Sequence, residues 1–339
     1  MPAPHAKSQG LRAAFLDYNS TVPITVRSFA KINLGLYIGG VRPDGFHELR
    51  TVYQTVALHD VLRVSAEPGS GIEIRCKNPS VPTDKSNTCY AMAERVMEEF
   101  AVKRRVVLEI EKHLPVQGGL GGASSNAVAT LFALELALGK RLAGDERLRL
   151  AAEVGSDLPL FLIGGTILGL ERGEAVFPLP EVPPTPCVVV APKIGVSTPE
   201  AFADWDKQAG KLTPGDGSSR MLEFGRKLSA WLSGNAGAPA GRGGRVGNPL
   251  LDLVHAGIAN DFERVVFQQN PELCELKREL LRLGAYYASL SGSGSALYGL
   301  FARNTGARRA AKLLKAQGVP AYATATLPRA EYWKKFRMR

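Results

Sequence analysis

Cysteine is scarce in this sequence of 339 residues, and the four cysteines lie far apart: Cys76, Cys89, Cys187 and Cys274. None has the spacing of a metal ligand, which favours a reducing cytoplasm and gives no reason to expect a structural zinc. Long apolar runs are also missing. None reaches the length of a membrane span, and the first twenty residues lack the apolar core of a signal peptide. The expected location is therefore the cytoplasm, without a membrane partner.

Acidic residues are nearly absent from the last part of the sequence. The net charge of the chain is +10, and residues 303–339 hold ten Lys or Arg residues and one acid, Glu331. A basic stretch at one end predicts a solvated helix face and a basic tail over 327–339 rather than a recognition surface. Because no basic strand is studded with aromatic residues, no nucleic-acid partner is expected. The positive charge would instead attract an anionic substrate.

Length and composition indicate a globular α+β protein of two domains. Apolar residues make up 45% and charged residues 22% of the chain, which is long enough for two cores. Five prolines within 178–186 mark the expected domain boundary. The predicted organisation is a loose extension over 1–20, a first domain over 21–183, a second domain over 184–326 with a flexible insertion at 207–248, and the basic tail.

Residue patterns predict the main helices and strands. In the first domain the predictions are strands over 25–38, 51–65 and 105–112, helices over 84–100 and 145–153, a further helix that ends near 138, and a hairpin over 164–177. In the second domain they are a strand over 187–191, helices over 220–232, 249–267, 271–283 and 307–317, and a strand pair around residue 291. This order favours antiparallel strands in the second half.

The glycine-rich stretch 115–126 is the most informative part of the sequence. Four glycines, Gly118, Gly119, Gly121 and Gly122, lead to a serine pair and then to a strongly apolar helix. A glycine-rich turn at a helix N-terminus offers unpaired N–H groups and the positive end of the helix dipole to a phosphate chain. A Walker loop and a Gly-x-Gly-x-x-Gly loop are both excluded by the spacing. A surface turn is the alternative, although surface turns seldom lead into buried helices.

Three further segments place polar residues in apolar surroundings. Lys31 lies in an apolar strand, on the same face as Asn33 by period-two alternation. It either meets an anion or occupies an exposed strand face. Asp157 precedes a very apolar stretch, where it either caps a helix or acts as a partly desolvated carboxylate that orients or deprotonates a hydroxyl. Residues 291–295, Ser-Gly-Ser-Gly-Ser, form either a close-approach loop or a plain turn.

Taken in order, these segments resemble the three signature motifs of the GHMP small-molecule kinases. Those motifs are a lysine-bearing strand, a glycine-rich phosphate loop and a late Gly-Ser-Gly loop. Residues 42–49, Arg-Pro-Asp-Gly-Phe-His-Glu-Leu, and 155–159, Gly-Ser-Asp-Leu-Pro, narrow the resemblance to the branch that phosphorylates a cytidine-diphosphate-linked polyol in the non-mevalonate isoprenoid pathway. The resemblance covers about 22–301, apart from the insertion.

The resemblance implies a fold and a set of roles. The fold is a two-domain GHMP kinase fold, with an N-terminal domain like ribosomal protein S5, a C-terminal ferredoxin-like α/β sandwich, and the active site in the cleft between them. ATP would be the phosphate donor, with Mg²⁺, and the 2-hydroxyl of the polyol would be the acceptor. We expect a monomer or a homodimer. No metal ligand is assigned, and Ser125 is only a candidate.

The residues that carry these implied roles fall into four groups. The catalytic pair is Lys31 and Asp157. The loop around the ATP phosphates is Pro115, Val116, Gln117, Gly118, Gly119, Leu120, Gly121, Gly122, Ala123, Ser124 and Ser125. The acceptor site is Asn33, Phe46, His47, Thr198 and Phe202, where the two phenylalanines would stack on the cytosine and His47 would hydrogen-bond it. The late glycine loop is Gly292, Ser293 and Gly294.

Three departures and two alternatives remain. Phe46 stands where the family often has tyrosine, Ala123 stands where it has glycine, and the insertion at 207–248 is longer than typical. The alternatives are another GHMP kinase, acting on homoserine, mevalonate or phosphomevalonate, and a non-catalytic nucleotide-binding or RNA-binding module. The first gives the aromatic acceptor residues no base to stack on. The second gives Lys31 and Asp157 no purpose.

Overall fold

The computed structural model describes residues 22–116, 118–209, 216–235, 249–255 and 257–338. In the first half, the strands are β1 Ile24–Val41, β2 His47–Glu67, β3 Gly71–Cys76, β4 Arg105–Glu111, β5 Thr166–Leu170 and β6 Ala175–Pro178. The helices there are α1 Thr88–Glu99, α2 Gly122–Leu138, α3 Gly144–Val154 and α4 Leu158–Phe161. Each strand and helix predicted for this half is present, and β3 and α4 are additional.

The second half contains the remaining elements. Its helices are α5 Thr198–Ala209, α6 Asp216–Asn235, α7 Pro249–His255, α8 Glu263–Gln269, α9 Pro271–Arg282, α10 Asn304–Ala316 and α11 Arg329–Phe336. Its strands are β7 Pro186–Val190, β8 Tyr287–Leu290, β9 Leu297–Leu300 and β10 Ala321–Ala325. The single helix predicted over 249–267 is wrong, because α7 and α8 are separate. The loose extension over 1–20 and most of the insertion outside α6 lie outside the described residues.

A six-stranded sheet is built around the long strand β2. Strand β1 pairs with β2 along almost its full length, while β4 and β5 pair with different parts of its other edge. Helix α2 packs against this sheet and is buried on most sides, as its apolar sequence predicts. The register of β1 on β2 shifts between Phe29 and Ala30, immediately before Lys31. Irregularities of this kind often re-aim a side chain near a functional site.

A four-stranded antiparallel sheet in the order β10-β7-β9-β8 forms the second half. Helices α9 and α10 pack against it and share its core. Backbone contacts join the two halves: Leu36 donates its N–H to the Ala259 carbonyl, and Leu327 donates to the Thr55 carbonyl. The two halves are therefore firmly connected, and residues of both halves line a cavity between them.

The end of the chain is not the solvated tail that its charge predicts. Helix α11 lies on the first sheet, where Tyr332 and Phe336 are buried and Arg337 bridges to Val26. The lysines of the helix remain more exposed, so the charge is solvated while the aromatic face is not. In the part of the chain that the structure describes, no helix has the length and apolar character of a membrane span.

Candidate active site

The glycine-rich loop forms the wall of a cavity of about 400 Å³ and is not a plain surface turn. Gly121 is the N-cap of α2 with φ of 69°, and Gly119 has φ of 72°, both in the left-handed region. A Cβ atom on Gly119 would clash with the carbonyl oxygen of Ser291. The loop therefore needs glycine both for its backbone angles and for a close approach. Gln117 lies outside the described residues.

A buried carboxylate that the motif analysis overlooked holds this loop in place. Asp60 of β2 is fully buried and accepts four hydrogen bonds, from Lys112 Nζ at 2.7 Å, His113 N at 2.7 Å, Leu114 N at 2.7 Å and Asn126 Nδ2 at 3.1 Å. These donors belong to the segment that enters the loop and to the first turns of α2. Because a buried charge is stable only when it is paired and hydrogen-bonded, Asp60 fixes both ends of the loop.

The two serines of the loop have different surroundings. Ser125 is buried and accepts a hydrogen bond from Ser28 Oγ at 2.7 Å, beneath the helix. Ser124 lines the cavity beside the glycines. Ser124, rather than the candidate Ser125, is therefore the hydroxyl placed to meet a ligand.

Lys31 and Asp157 meet at the inner end of a second, larger cavity of about 690 Å³. Lys31 Nζ lies 3.2 Å from Asp157 Oδ2 and donates to Asn33 Oδ1 at 2.7 Å. The lysine side chain is 4% exposed and that of the aspartate 34%, so the ammonium is buried while the carboxylate faces the cavity. The backbone N–H of Lys31 donates to the Leu120 carbonyl at 2.9 Å, which ties the strand to the glycine loop. The exposed-face alternative for Lys31 is wrong.

Asp157 does not cap a helix with its side chain, although it occupies the N-cap position of α4. Its second oxygen, Oδ1, accepts a hydrogen bond from Tyr53 Oη at 3.0 Å. Burial, with the nearby Asp157 carboxylate as a smaller cause, holds the pKa of Tyr53 well above its usual value. The phenol therefore remains a neutral donor, and the carboxylate is oriented from two sides.

The late glycine loop packs against the glycine-rich loop before α2. Ser291 Oγ donates to the Gly119 carbonyl at 2.9 Å, and Ala296 N donates to the Gly118 carbonyl at 3.1 Å. A Cβ atom on Gly292 would lie 3.5 Å from Lys31 Nζ, so this loop also borders the Lys31–Asp157 pair. The segments that the sequence places far apart thus converge at one point.

Aromatic rings line the outer part of the larger cavity. The His47 ring stacks on Phe202, with centroids 4.8 Å apart and planes 12° apart, and Phe262 contacts Phe202 edge-on. His47 Nε2 lies 2.7 Å from Asp206 Oδ1. Phe46 stands at the mouth and is 54% exposed. These rings form a flat-walled site open to solvent on one side.

Comparisons with known proteins find relatives of this chain. The family model for the GHMP kinases N terminal domain matches residues 87–165, and the model for the GHMP kinases C terminal domain matches 246–319. The 4-diphosphocytidyl-2-C-methyl-D-erythritol kinase of Solibacter usitatus is 39% identical over 290 residues, which are 85% of this chain and 84% of the relative. The enzyme of that name from Chlorobium luteolum is 37% identical over 85% of this chain and 92% of its own.

This chain belongs to the 4-diphosphocytidyl-2-C-methyl-D-erythritol kinase family. A crystal structure of 4-(cytidine 5'-diphospho)-2C-methyl-D-erythritol kinase is 29% identical, with a TM-score of 0.68 over 89% of this chain and 99% of that one. A homoserine kinase from Cytophaga hutchinsonii at 18% identity and a mevalonate kinase at 14%, with TM-scores of 0.66 and 0.64, share the fold. The α+β prediction and the two-domain GHMP kinase fold are confirmed.

Within this kinase family fold, the predicted acceptor residues share one cavity. The cavity is lined by Asn33, Phe46, His47, Thr198 and Phe202 together with Lys31, Asp157 and Ser293. Thr198 Oγ1 and Ser293 Oγ lie 2.7 Å apart, which joins α5 to the late glycine loop.

The residues of the cavity wall that the motif analysis missed include Tyr53, Arg172, Asp206 and Phe262. Phe262 comes after the insertion, immediately before α8. Asp206 lies one helical turn after Phe202 on α5. That i, i+4 spacing was the available signal for Asp206, but helix α5 itself was not predicted.

Proposed function

We propose that this chain transfers the γ-phosphoryl group of ATP to the 2-hydroxyl of 4-diphosphocytidyl-2-C-methyl-D-erythritol, giving the 2-phosphate and ADP. The observation that carries the proposal is the position of the Lys31–Asp157 pair, which lies between the glycine loop and the aromatic-lined cavity. The four free cysteines support a cytoplasmic location for this kinase.

The nucleotide site would use the backbone more than side chains. The first turn of α2 presents N–H groups and the positive end of its dipole to the β- and γ-phosphates. Gly119 borders both cavities, so a γ-phosphate held there faces the acceptor. Phosphoryl transfer depends on such positioning and on charge compensation more than on covalent chemistry.

Lys31 and Asp157 would act on the two partners of the transfer. The hydroxyl oxygen of the acceptor forms a bond to Pγ while the bond from Pγ to the bridging oxygen of ADP breaks. Lys31 compensates the negative charge on the transferring group. Asp157 orients the hydroxyl and accepts its proton, and Tyr53 holds the carboxylate in place for that role.

The base of the acceptor would bind at the outer end of the cavity. Phe202 and the exposed ring of Phe46 offer stacking surfaces, and His47 is oriented by Asp206 for a hydrogen bond to the base. The His47 ring stacks on Phe202 at this end of the cavity. A mevalonate or homoserine acceptor would leave these rings without a function, which favours the cytidine-linked acceptor.

Mg²⁺ fits the oxygen atoms present at the nucleotide cavity. Asn126 Oδ1 is buried, lies at that cavity and has no hydrogen-bond partner among the described residues. With the hydroxyl of Ser124, it offers oxygen ligands of the kind that Mg²⁺ prefers. The described residues contain no cluster of three His, Cys, Asp or Glu side chains. Mg²⁺ usually keeps several waters and binds substrate phosphates together with only a few protein ligands. When bound, the ion would neutralise phosphate charge.

A coupled assay of ADP release tests the proposal. ADP should form only when ATP is supplied together with 4-diphosphocytidyl-2-C-methyl-D-erythritol. Mevalonate and homoserine at the same concentration serve as matched acceptors and should give background rates. Turnover of either one, with none of the cytidine-linked alcohol, would refute the assignment of the acceptor.

A further inference from the structure

The turn between β5 and β6 borders the acceptor cavity, and the position of this turn is fixed. Gly173 has φ of 106°, and a Cβ atom there would clash with the hydroxyl of Tyr53. The same Cβ would lie 3.9 Å from Asp157 Oδ1. Leu49 N donates to the Glu171 carbonyl at 2.5 Å, which ties the turn to β2. The turn is therefore held next to the Asp157 carboxylate, which faces the transferring group.

Arg172 projects from this turn into the cavity wall. Its Nε donates to Glu174 Oε1 at 2.8 Å, and its backbone N–H donates to Glu174 Oε2 at 2.8 Å. The guanidinium carbon lies 5.0 Å from the centroid of the Phe46 ring. Among the described residues, the hydrogen bonds to this guanidinium use Nε alone. Both Nη groups thus remain for a ligand.

The other ionisable groups of the cavity are already engaged with one another. Lys31 is paired with Asp157 at the inner end, and His47 with Asp206 at the outer end. A cytidine-diphosphate-linked alcohol carries its negative charge between the base and the reacting hydroxyl. Arg172 contacts Phe46, the ring proposed to stack on the base. The next residue, Gly173, borders the Asp157 carboxylate. Arg172 is therefore the cation placed between the two ends of such a molecule.

We propose that Arg172 binds the diphosphate of the acceptor and selects alcohols linked to a nucleoside diphosphate. The assignment rests on the proposed function. A planar guanidinium with two free Nη groups matches a phosphate in a bidentate manner, and its stacking on Phe46 limits the orientations that it samples. Arg172 is thus a specificity-determining residue for the acceptor and has no role toward ATP.

Arg172→Gln, Arg172→Lys and the control Glu171→Gln test the proposal. Glu171 lies next to Arg172 on the same turn, is 52% exposed and is not part of the cavity wall. Loss of a charge-assisted hydrogen bond predicts a rise of about 10- to 100-fold in KM for the acceptor in Arg172→Gln. KM for ATP should stay within about twofold of the wild-type value, and Arg172→Lys should recover part of the loss. Glu171→Gln should behave as wild type.

Direct binding of CDP and of cytidine, measured by calorimetry, separates this role from the overall function. The wild type should prefer CDP, and Arg172→Gln should lose that preference while it binds cytidine as before. An unchanged preference, or an acceptor KM equal to that of Glu171→Gln, overturns the role of Arg172. If the wild type prefers CDP but does not phosphorylate the cytidine-linked alcohol, the proposed function fails and diphosphate binding stands. If the wild type binds neither compound, both are refuted.

Discussion

Replacing Asp157 with asparagine removes a negative charge and a proton acceptor while it preserves the shape of the side chain. The amide oxygen can still accept the hydrogen bond of Tyr53 Oη, so the Tyr53 ring should stay in place. Lys31, in contrast, loses its carboxylate partner and keeps the hydrogen bond to Asn33 Oδ1. The variant therefore tests the chemistry of Asp157 with little change in packing.

The expected loss of activity exceeds the expected loss of stability. General base catalysis contributes about 10²- to 10⁴-fold, which corresponds to about 2.7 to 5.4 kcal/mol in the barrier. Breaking a fully buried ion pair costs about 3 to 5 kcal/mol. Because the Asp157 side chain is 34% exposed, solvent screens this pair, and about 1 kcal/mol is the more appropriate figure. We expect kcat to fall at least about 100-fold and the melting temperature to fall by a few degrees.

Three measurements check this prediction together. ADP release at saturating substrates gives kcat, titration with a non-hydrolysable ATP analogue gives nucleotide affinity, and thermal melting gives stability. Asp206→Asn is the matched control, since Asp206 is an acid of the same cavity that pairs with His47 instead of Lys31. It should keep its kcat. An Asp157→Asn enzyme with kcat within about threefold of the wild type would remove this carboxylate from the mechanism.

Three further predictions follow from the same geometry. His47→Ala should raise KM for the cytidine-linked acceptor by about 10-fold, from the loss of one hydrogen bond and a ring contact, and should leave KM for ATP unchanged; an effect on ATP alone contradicts the assignment. Gly119→Ala combines an unfavourable left-handed φ with a clash against a carbonyl oxygen, so it should lower the melting temperature and abolish turnover. Gly118→Ala is the milder control, because its Cβ would lie 3.3 Å from the methyl group of Ala296. Equal losses in Gly118→Ala and Gly119→Ala would argue against the close approach of Gly119 to the Ser291 carbonyl. Burial raises the pKa of Cys89 to about 12, so this thiol is protonated at pH 8 and should react with a thiol reagent only after unfolding. The half-buried Cys76 is the control and should react in the native enzyme. Rapid labelling of Cys89 in the native enzyme, measured by mass spectrometry, would contradict its burial.

Local sequence rules predicted those parts of the site that depend on neighbouring residues. Period-two alternation correctly placed Lys31 and Asn33 on one face, because adjacent strand residues determine this relationship. The glycines before α2 likewise predicted a turn that leads into an open helix N-terminus, and Gly119 and Gly121 of this turn have left-handed angles. In both cases the physical cause lies within a few residues of the feature.

Partners contributed by a second strand or turn were beyond these rules. Tyr53 pairs with Asn33 in the β1–β2 register, but register shifts within that pairing make the partner unpredictable from either strand alone. Arg172 reaches the cavity only because Gly173 allows its turn to approach Tyr53. Asp60 did leave a local signal, since an acid inside an apolar strand must find donors if it is buried.

The C-terminal prediction failed because net charge was given more weight than the spacing of aromatic residues. Tyr332 and Phe336 are four residues apart and therefore lie on one face of α11, which packs on the first sheet. Trp333 Nε1 donates to the Ile163 carbonyl at 3.0 Å from the edge of that face. A helix with a buried aromatic stripe and lysines opposite is an ordinary amphipathic helix, and the lysine count alone concealed it.

Helix α11 also explains how Asp157 is held in place. Helix α4, which Asp157 precedes, has only four residues and is too short to be stable by itself. Tyr332 Oη donates to the Phe161 carbonyl at 2.9 Å, at the end of α4, and the Tyr332 ring covers Gly164, where a Cβ atom would clash with it. The Asp157 carboxylate is thus supported from outside its own segment, by the last helix of the chain. A motif near residue 157 is sufficient to suggest the chemistry, whereas the rigidity that the chemistry needs comes from residues about 170 positions away.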